Sequence, residues 1–240
     1  MKIHVYETPE LVAQAAASII AAEILDKPDL VLGLPTGSSP VLTYHELARM
    51  NREGLIDFSL VTTYNLDEYM GLDGSHPQSY RRFMNENLFD HINIKPENTH
   101  VPCGIGDGEA NARAYETAID AAGGIDLQLM GIGRNGHIGF NEPADAFTDT
   151  TGIIKLTPST IEANTRFFAC AEDVPREAIS MGVGTIMRAR RLLLIATGEE
   201  KRDAIHDMVH GDVSPGHPAS VLRLHRDAVV LLDKSAAARI

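Results

Sequence analysis

The 240-residue chain is 44% hydrophobic and carries 21 Lys and Arg against 33 Asp and Glu, a net charge of −12. It is long enough to bury one sizeable core, and its acidity opposes nucleic-acid binding, which relies on basic patches to neutralise phosphates. Cys103 and Cys170 stand at no metal-like spacing, which points to free thiols in a reducing compartment. No apolar stretch approaches the roughly 20 residues that span a bilayer, and the first residues lack a basic-then-apolar signal pattern, so a cytoplasmic protein is expected.

In chain order, Lys2–Tyr6 alternates and is short, which suits a first strand. Thr8-Pro9-Glu10 supplies a cap, a proline for the first helical position and an early acid. The helix should run to about Asp26 with Leu11, Ala15, Ile19 and Ala22 along one face. Asp29–Leu34 reads as a buried strand that breaks at Pro35-Thr-Gly-Ser-Ser-Pro40, and a helix with Leu42, Leu47 and Met50 apolar follows. Phe58–Leu66 reads as a third strand, ending at Asp67-Glu68-Tyr69. Ser79–His91 and about Asp107–Ala122 read as helices, the second leading to a short apolar run (Leu127, Leu129, Met130) suited to a buried parallel strand. Thr151–Lys155 suits a strand and Thr157–Asn164 a helix. Val174–Arg190 reads as a helix whose interior glycines, Gly182 and Gly184, each weaken it by about 1 kcal/mol and mark close packing. A strand at Leu192–Ala196, a helix at Glu199–His210 and a strand at Ala228–Leu232 follow. Strands alternating with helices predict an α/β single-domain three-layer sandwich, a mostly parallel doubly wound sheet with helices on both faces.

Residues 126–143 organise the chemistry. Behind the apolar run come Gly131, Gly133 and Gly136, then His137, Asn141 and Glu142, closed by Pro143. A strand that ends in a glycine turn and delivers a titratable group is how open α/β sheets build sites at their carboxyl edge. Gly131-x-Gly133-x-x-Gly136 also fits a dinucleotide fingerprint, but Pro143 cuts short the long helix that motif requires. A tight turn with a merely hydrogen-bonded His137 is the bland alternative; Asn135 and Glu142 nearby favour a base-and-orienter cluster. Pro35–Pro40 combines a glycine, three hydroxyls and fresh helix N–H groups, either an anion cradle or a simple helix cap. Thr197-Gly198-Glu199-Glu200-Lys201 repeats that arrangement with a cation, although Lys201 taken alone reads as a solvated helix lysine. Asp67 closes a strand, where a carboxylate serves as a general base if burial raises its pKa; a turn acid is the other reading. Arg166, followed by two phenylalanines, is either a snorkelling arginine or a phosphate fork. His206 and His210 at i, i+4 could pair on a metal, but no third ligand is evident.

Leu-Gly-Leu-Pro-Thr-Gly-Ser-Ser-Pro, Asn-Leu-Asp-Glu-Tyr-Met-Gly-Leu, Ser-His-Pro-Gln-Ser-Tyr, Gly-Ile-Gly-Arg-Asn-Gly-His-Ile-Gly-Phe-Asn-Glu-Pro, Ala-Asn-Thr-Arg-Phe-Phe and Gly-Val-Gly-Thr-Ile-Met occur in that order. Over nearly its whole length the chain resembles the glucosamine-6-phosphate deaminase family. The resemblance implies one domain over 1–240 with a mobile lid at about 150–180, and conversion of glucosamine 6-phosphate to fructose 6-phosphate and ammonia without metal or organic cofactor. It implies His137 for ring opening, assisted by Glu142 and Asn135, and Asp67 as the base that moves a proton from C2 to C1. It implies a phosphate seat on Thr36, Gly37 and Ser38, clamped by Arg166 and Lys201. The chain departs from the family where many members carry Asp in place of Asn135. It also departs where long members carry basic activator-binding residues and this chain reads Gly152-Ile153-Ile154-Lys155. The expectation is a monomer or small homo-oligomer without an allosteric activator site, partnered only by a small phosphorylated aminosugar. Competing readings are 6-phosphogluconolactonase, which has no need of Asp67 as base, a galactosamine-6-phosphate deaminase, and a sugar-phosphate sensor without turnover.

Overall fold

The computed structural model describes residues 1–240 except 166, 167 and 169. Seven strands pair in parallel, in the spatial order β1 (Lys2–Tyr6), β10 (Ala228–Asp233), β9 (Arg191–Ala196), β6 (Leu127–Met130), β2 (Val31–Leu34), β3 (Thr62–Asn65) and β5 (Thr99–His100). Strands β2, β9 and β10 read as mostly apolar runs because both faces are covered, while β6 carries one buried polar residue, Gln128. Leu32, Leu34, Leu127, Leu129, Leu193 and Ile195 face a core closed by α1 (Pro9–Asp26), α2 (Val41–Arg52) and α3 (Tyr80–Asn87). Their alternates Val31, Met130, Leu192 and Leu194 face a second core closed by α4 (Gly108–Ala121), α6 (Val183–Met187) and α7 (Arg202–His210). This is the expected three-layer α/β sandwich.

From β2 the chain steps through α2 to β3, whereas from β6 it proceeds the other way, to β9. The connections therefore diverge between β2 and β6. A crevice outside the carboxyl ends of such a strand pair is where open α/β sheets hold ligands. The loops 35–40 and 131–143 leave those two ends.

Three expectations need correction. Val174–Arg190 is not one helix: β8 (Glu177–Ser180) lies antiparallel between β4 (Asp67–Tyr69) and β7 (Gly152–Lys155) in a small second sheet, and only Val183–Met187 is helical. Pairing with two distant strands overrides the local preference. The glycines do mark close packing, since a Cβ on Gly182 or Gly184 would collide with the Asp149 backbone. The strand expected over Phe58–Leu66 is regular only at Thr62–Asn65, and the chain then crosses at Leu66 into β4. In α1 the buried face is Val12, Ala13, Ala16, Ala17, Ile20, Ala21 and Ile24, one position round from the expected stripe, and Leu11 is exposed. A helix with few polar residues, Gln14 and Ser18 alone between its charged ends, offers little contrast to choose by, and the alanines let it lie close to the sheet. Boundaries elsewhere hold within a few residues; Thr8 caps α1, Ser79 caps α3 and Asp107 caps α4. The helix α5 (Pro158–Thr165) follows β7 as expected.

Candidate active site

After β6 no helix forms before residue 152; instead the chain folds into a tight glycine turn. Gly133 N–H donates to the His137 carbonyl (2.8 Å) and Gly136 N–H to the Gly133 carbonyl (3.0 Å). Gly136 sits at φ +83°, a left-handed conformation that favours glycine. The His137 ring lies against Gly133, where a Cβ would overlap it. The Asn135 amide bridges His137 to Glu142: its Nδ2 donates to Glu142 Oε2 (2.6 Å) and its Oδ1 stands 2.7 Å from His137 Nδ1. A carboxylate accepts only, so the amide's oxygen is the atom left for the ring, and Nδ1 must carry the proton. Nε2 is then the free acceptor. Burial disfavours the Glu142 charge. His137 at 3.5 Å, the Thr160 hydroxyl (2.5 Å) and the Asn135 amide outweigh that burial and hold the carboxyl down at about 2.

Asp67 opens β4 opposite Ser180 of β8. Its carboxylate packs against the same turn: a Cβ on Gly139 would stand 3.5 Å from Asp67 Oδ2 and 3.2 Å from Ser180 Oγ, which itself accepts from Phe140 N–H. Asp67 is 6% exposed. Burial first, and the neighbouring Glu68 charge second, push its carboxyl up to about 8. Glu68 has a different task. It accepts from the backbone N–H groups of Tyr69, Tyr80 and Arg81 (2.8, 2.9 and 3.0 Å), tying β4 to the first turn of α3. The strand thus fixes one acid to the fold and leaves the other facing the site.

The 35–40 loop sits beside them. Gly37, at φ +91°, turns the chain, and the Tyr44 hydroxyl donates to the Pro35 carbonyl (2.5 Å). Burial, then the Asp67 charge, raises the Tyr44 pKa, so the carboxylate lies within electrostatic reach of this loop. Pro40 caps α2 without a side-chain hydrogen bond, and Gly37 and Ser38 are exposed. The hydroxyls here are not spent on capping, which removes the simple-cap reading. Lys201 lies at the carboxyl end of β9, next to β6, in a half-buried turn. Burial and the Arg134 charge lower its pKa against the pull of Glu200. The structure brings Asp67, Asn135, His137 and Glu142 around one glycine turn, with the loop of Thr36, Gly37 and Ser38 and the turn of Lys201 after the strands on either side. Arg166 lies outside the described residues.

Other candidates stay apart from this site. The missing helix after β6 overturns the dinucleotide reading. The rings of His206 and His210 lie 5.2 Å apart, and His206 pairs with Asp207. Among the described residues no three His, Cys, Asp or Glu side chains gather as a metal site. Cys103 and Cys170 are exposed, and Glu172 and Asp173 raise the Cys170 pKa, the opposite of an activated thiol. Thr160 and Tyr44 were not legible as parts of the site: Thr160 reaches Glu142 across 18 residues, and Tyr44 reads as a core position of α2.

A buried, protonatable carboxyl, a histidine with an assigned tautomer and a hydroxyl-bearing loop at the switch point of a parallel sheet define an acid–base enzyme of the open α/β class. A model of the family described as glucosamine-6-phosphate isomerases/6-phosphogluconolactonase matches residues 7–231, and the chain belongs to that family. It is 51% identical to a glucosamine-6-phosphate deaminase of Clostridioides difficile (strain 630), covering 100% of this chain and 97% of that protein. It is 52% identical to one of Shewanella loihica (strain ATCC BAA-1088 / PV-4), covering 100% of this chain and 90% of that protein. A solved monomeric glucosamine-6-phosphate deaminase superposes with a TM-score of 0.97 at 44% identity over the whole of both chains. A 6-phosphogluconolactonase of Trypanosoma cruzi, with a TM-score of 0.80 at 19% identity over 100% of this chain and 96% of that one, shares the fold.

Proposed function

We infer that the chain acts in amino-sugar catabolism, converting glucosamine 6-phosphate and water to fructose 6-phosphate and ammonia. The observation that carries the roles of individual residues is the juxtaposition of Asp67, raised to about 8, with a turn that presents His137. The relatives at 51–52% identity, named glucosamine-6-phosphate deaminases, support the same substrate.

The ring form opens first. With Nδ1–H held by Asn135, His137 Nε2 is placed to take the anomeric hydroxyl proton and return it to the ring oxygen. Glu142, ionised at any physiological pH, stabilises the transient imidazolium through the amide bridge. Asp67 then removes the C2 proton while the substrate's ammonium gives up a proton to the C1 oxygen, leaving an enolamine with a hydroxyl at C1. It returns a proton to C1, leaving an iminium at C2. Water adds there, and ammonia departs to leave the ketone. A base at about 8 is a strong one, and the substrate's own ammonium favours its ionised form. Thr36, Gly37, Ser38, Lys201 and Arg166 would hold the phosphate, which in a chain of net charge −12 requires a local site. Residues from about 150 to 180 would form the lid; Thr160, on that segment, already touches Glu142. A monomer or small oligomer with hyperbolic kinetics and no activator site is in keeping with Gly152-Ile153-Ile154-Lys155 and with the monomeric structural relative. Exposed free thiols suit a cytoplasmic setting.

The test is stoichiometric release of ammonia and fructose 6-phosphate from glucosamine 6-phosphate by the purified protein. Absence of both, from folded protein, would overturn the reading.

A further inference from the structure

His217 takes no part in the chemistry above, yet its ring is pressed on the turn that performs it. The ring lies over Gly136, where a Cβ would overlap its Cε1, Nδ1 and Nε2 atoms. Its own chain straps the turn on both sides: Ala219 N–H donates to the Gly136 carbonyl (2.9 Å), and Ala144 N–H donates to the Pro215 carbonyl (3.1 Å). His217 N–H closes the strap on Ser214 (3.0 Å). The glycine turn is therefore held between two imidazoles, His137 against Gly133 and His217 against Gly136. The His217 Nε2 is buried without a hydrogen-bond partner. Burial and Arg223 disfavour its charged form, against the Asp207 carboxylate and the Ala204 carbonyl.

We propose that His217 is a positioning residue for His137: a rigid ring that locks Gly136 in its left-handed conformation and so aims the reacting imidazole. The proposal rests on the role given to His137 above. Two features argue for it. The contact is made to the backbone of the turn itself, so any slack there passes directly to His137, one residue on. And the buried Nε2 makes no hydrogen bond, so what the position presents to the turn is a flat ring. An aim error of about an ångström at a reacting group costs up to about 100-fold in rate.

The experiment compares wild type, His217→Ala and His217→Phe by steady-state ammonia release and by the ring ¹⁵N signals of His137. For His217→Ala, kcat should fall roughly 10-fold with KM within about twofold, and the His137 signals should shift or broaden. For His217→Phe, a flat ring without nitrogen, kcat should return to within about threefold of wild type and the signals should return with it. Unchanged kcat and unchanged signals in the alanine variant would overturn the proposal, as would a folded phenylalanine variant as impaired as alanine. Should the alanine variant not fold, His217→Leu, which fills volume but cannot lie flat, replaces it with the same expectations. If wild type itself releases no ammonia, the functional reading falls, and the His137 signals alone still decide whether His217 positions the ring.

Discussion

Removing Asp67 should stabilise the protein while destroying its activity. Its carboxyl is held at about 8 in the fold, against about 3.9 in an unfolded chain. The folded state therefore binds this proton more tightly, and stability is lost as pH rises from about 4 towards 8. About four units at 1.36 kcal/mol each set a ceiling of about 5 kcal/mol for the cost of ionising the buried group. An amide never ionises, so Asp67→Asn should match wild type near pH 4.5 and exceed it by several kcal/mol at pH 9. Urea unfolding at both pH values measures the difference. A variant no more stable than wild type at pH 9, or a difference independent of pH, would refute the premise that the site holds a desolvated carboxyl.

Other expectations follow from the same geometry. Glu142, held at about 2, contributes stability that is present above about 4.3 and lost as pH falls towards 2. Glu142→Gln should therefore cost about 1–3 kcal/mol at pH 7 with the deficit shrinking in acid, and chemical denaturation across that range would expose a constant deficit if the reasoning fails. Gly133 has no left-handed backbone requirement, so Gly133→Ala should act only by displacing the His137 ring. Its kcat should drop at least about 10-fold with inorganic phosphate inhibition unchanged, and an unimpaired variant would show that the ring's seat is unimportant. If Asp67 is the base it must be ionised to act, and kcat/KM should climb with pH through a midpoint near 8; a flat profile between pH 6 and 9 would remove it as the base.

The sequence revealed the main sheet because β2, β6, β9 and β10 are buried on both faces and so appear as mostly Val, Leu and Ile runs, broken only by Gly33 in β2 and Gln128 in β6 among their inner positions. The small sheet was only partly legible. Its β7 was read as a strand at Thr151–Lys155, but β4 and β8 are three and four residues long and meet across more than a hundred residues, so no local pattern announces those two. The site was partly legible for the same reason. Glycines and a histidine within one turn, 131–137, declare themselves, whereas the division between Asp67 and Glu68 depends on where α3 lays its N–H groups. Two adjacent acids look alike until the fold decides which one it uses for itself.

Glucosamine 6-phosphate carrying deuterium at C2 gives the most direct measurement. Wild type should remove that label as ammonia forms, passing it to C1 or to solvent, and Asp67→Asn should do so at least about 100-fold more slowly. Loss of the C2 label at a near-normal rate in the asparagine variant would contradict the assignment of Asp67 as the group that takes the proton.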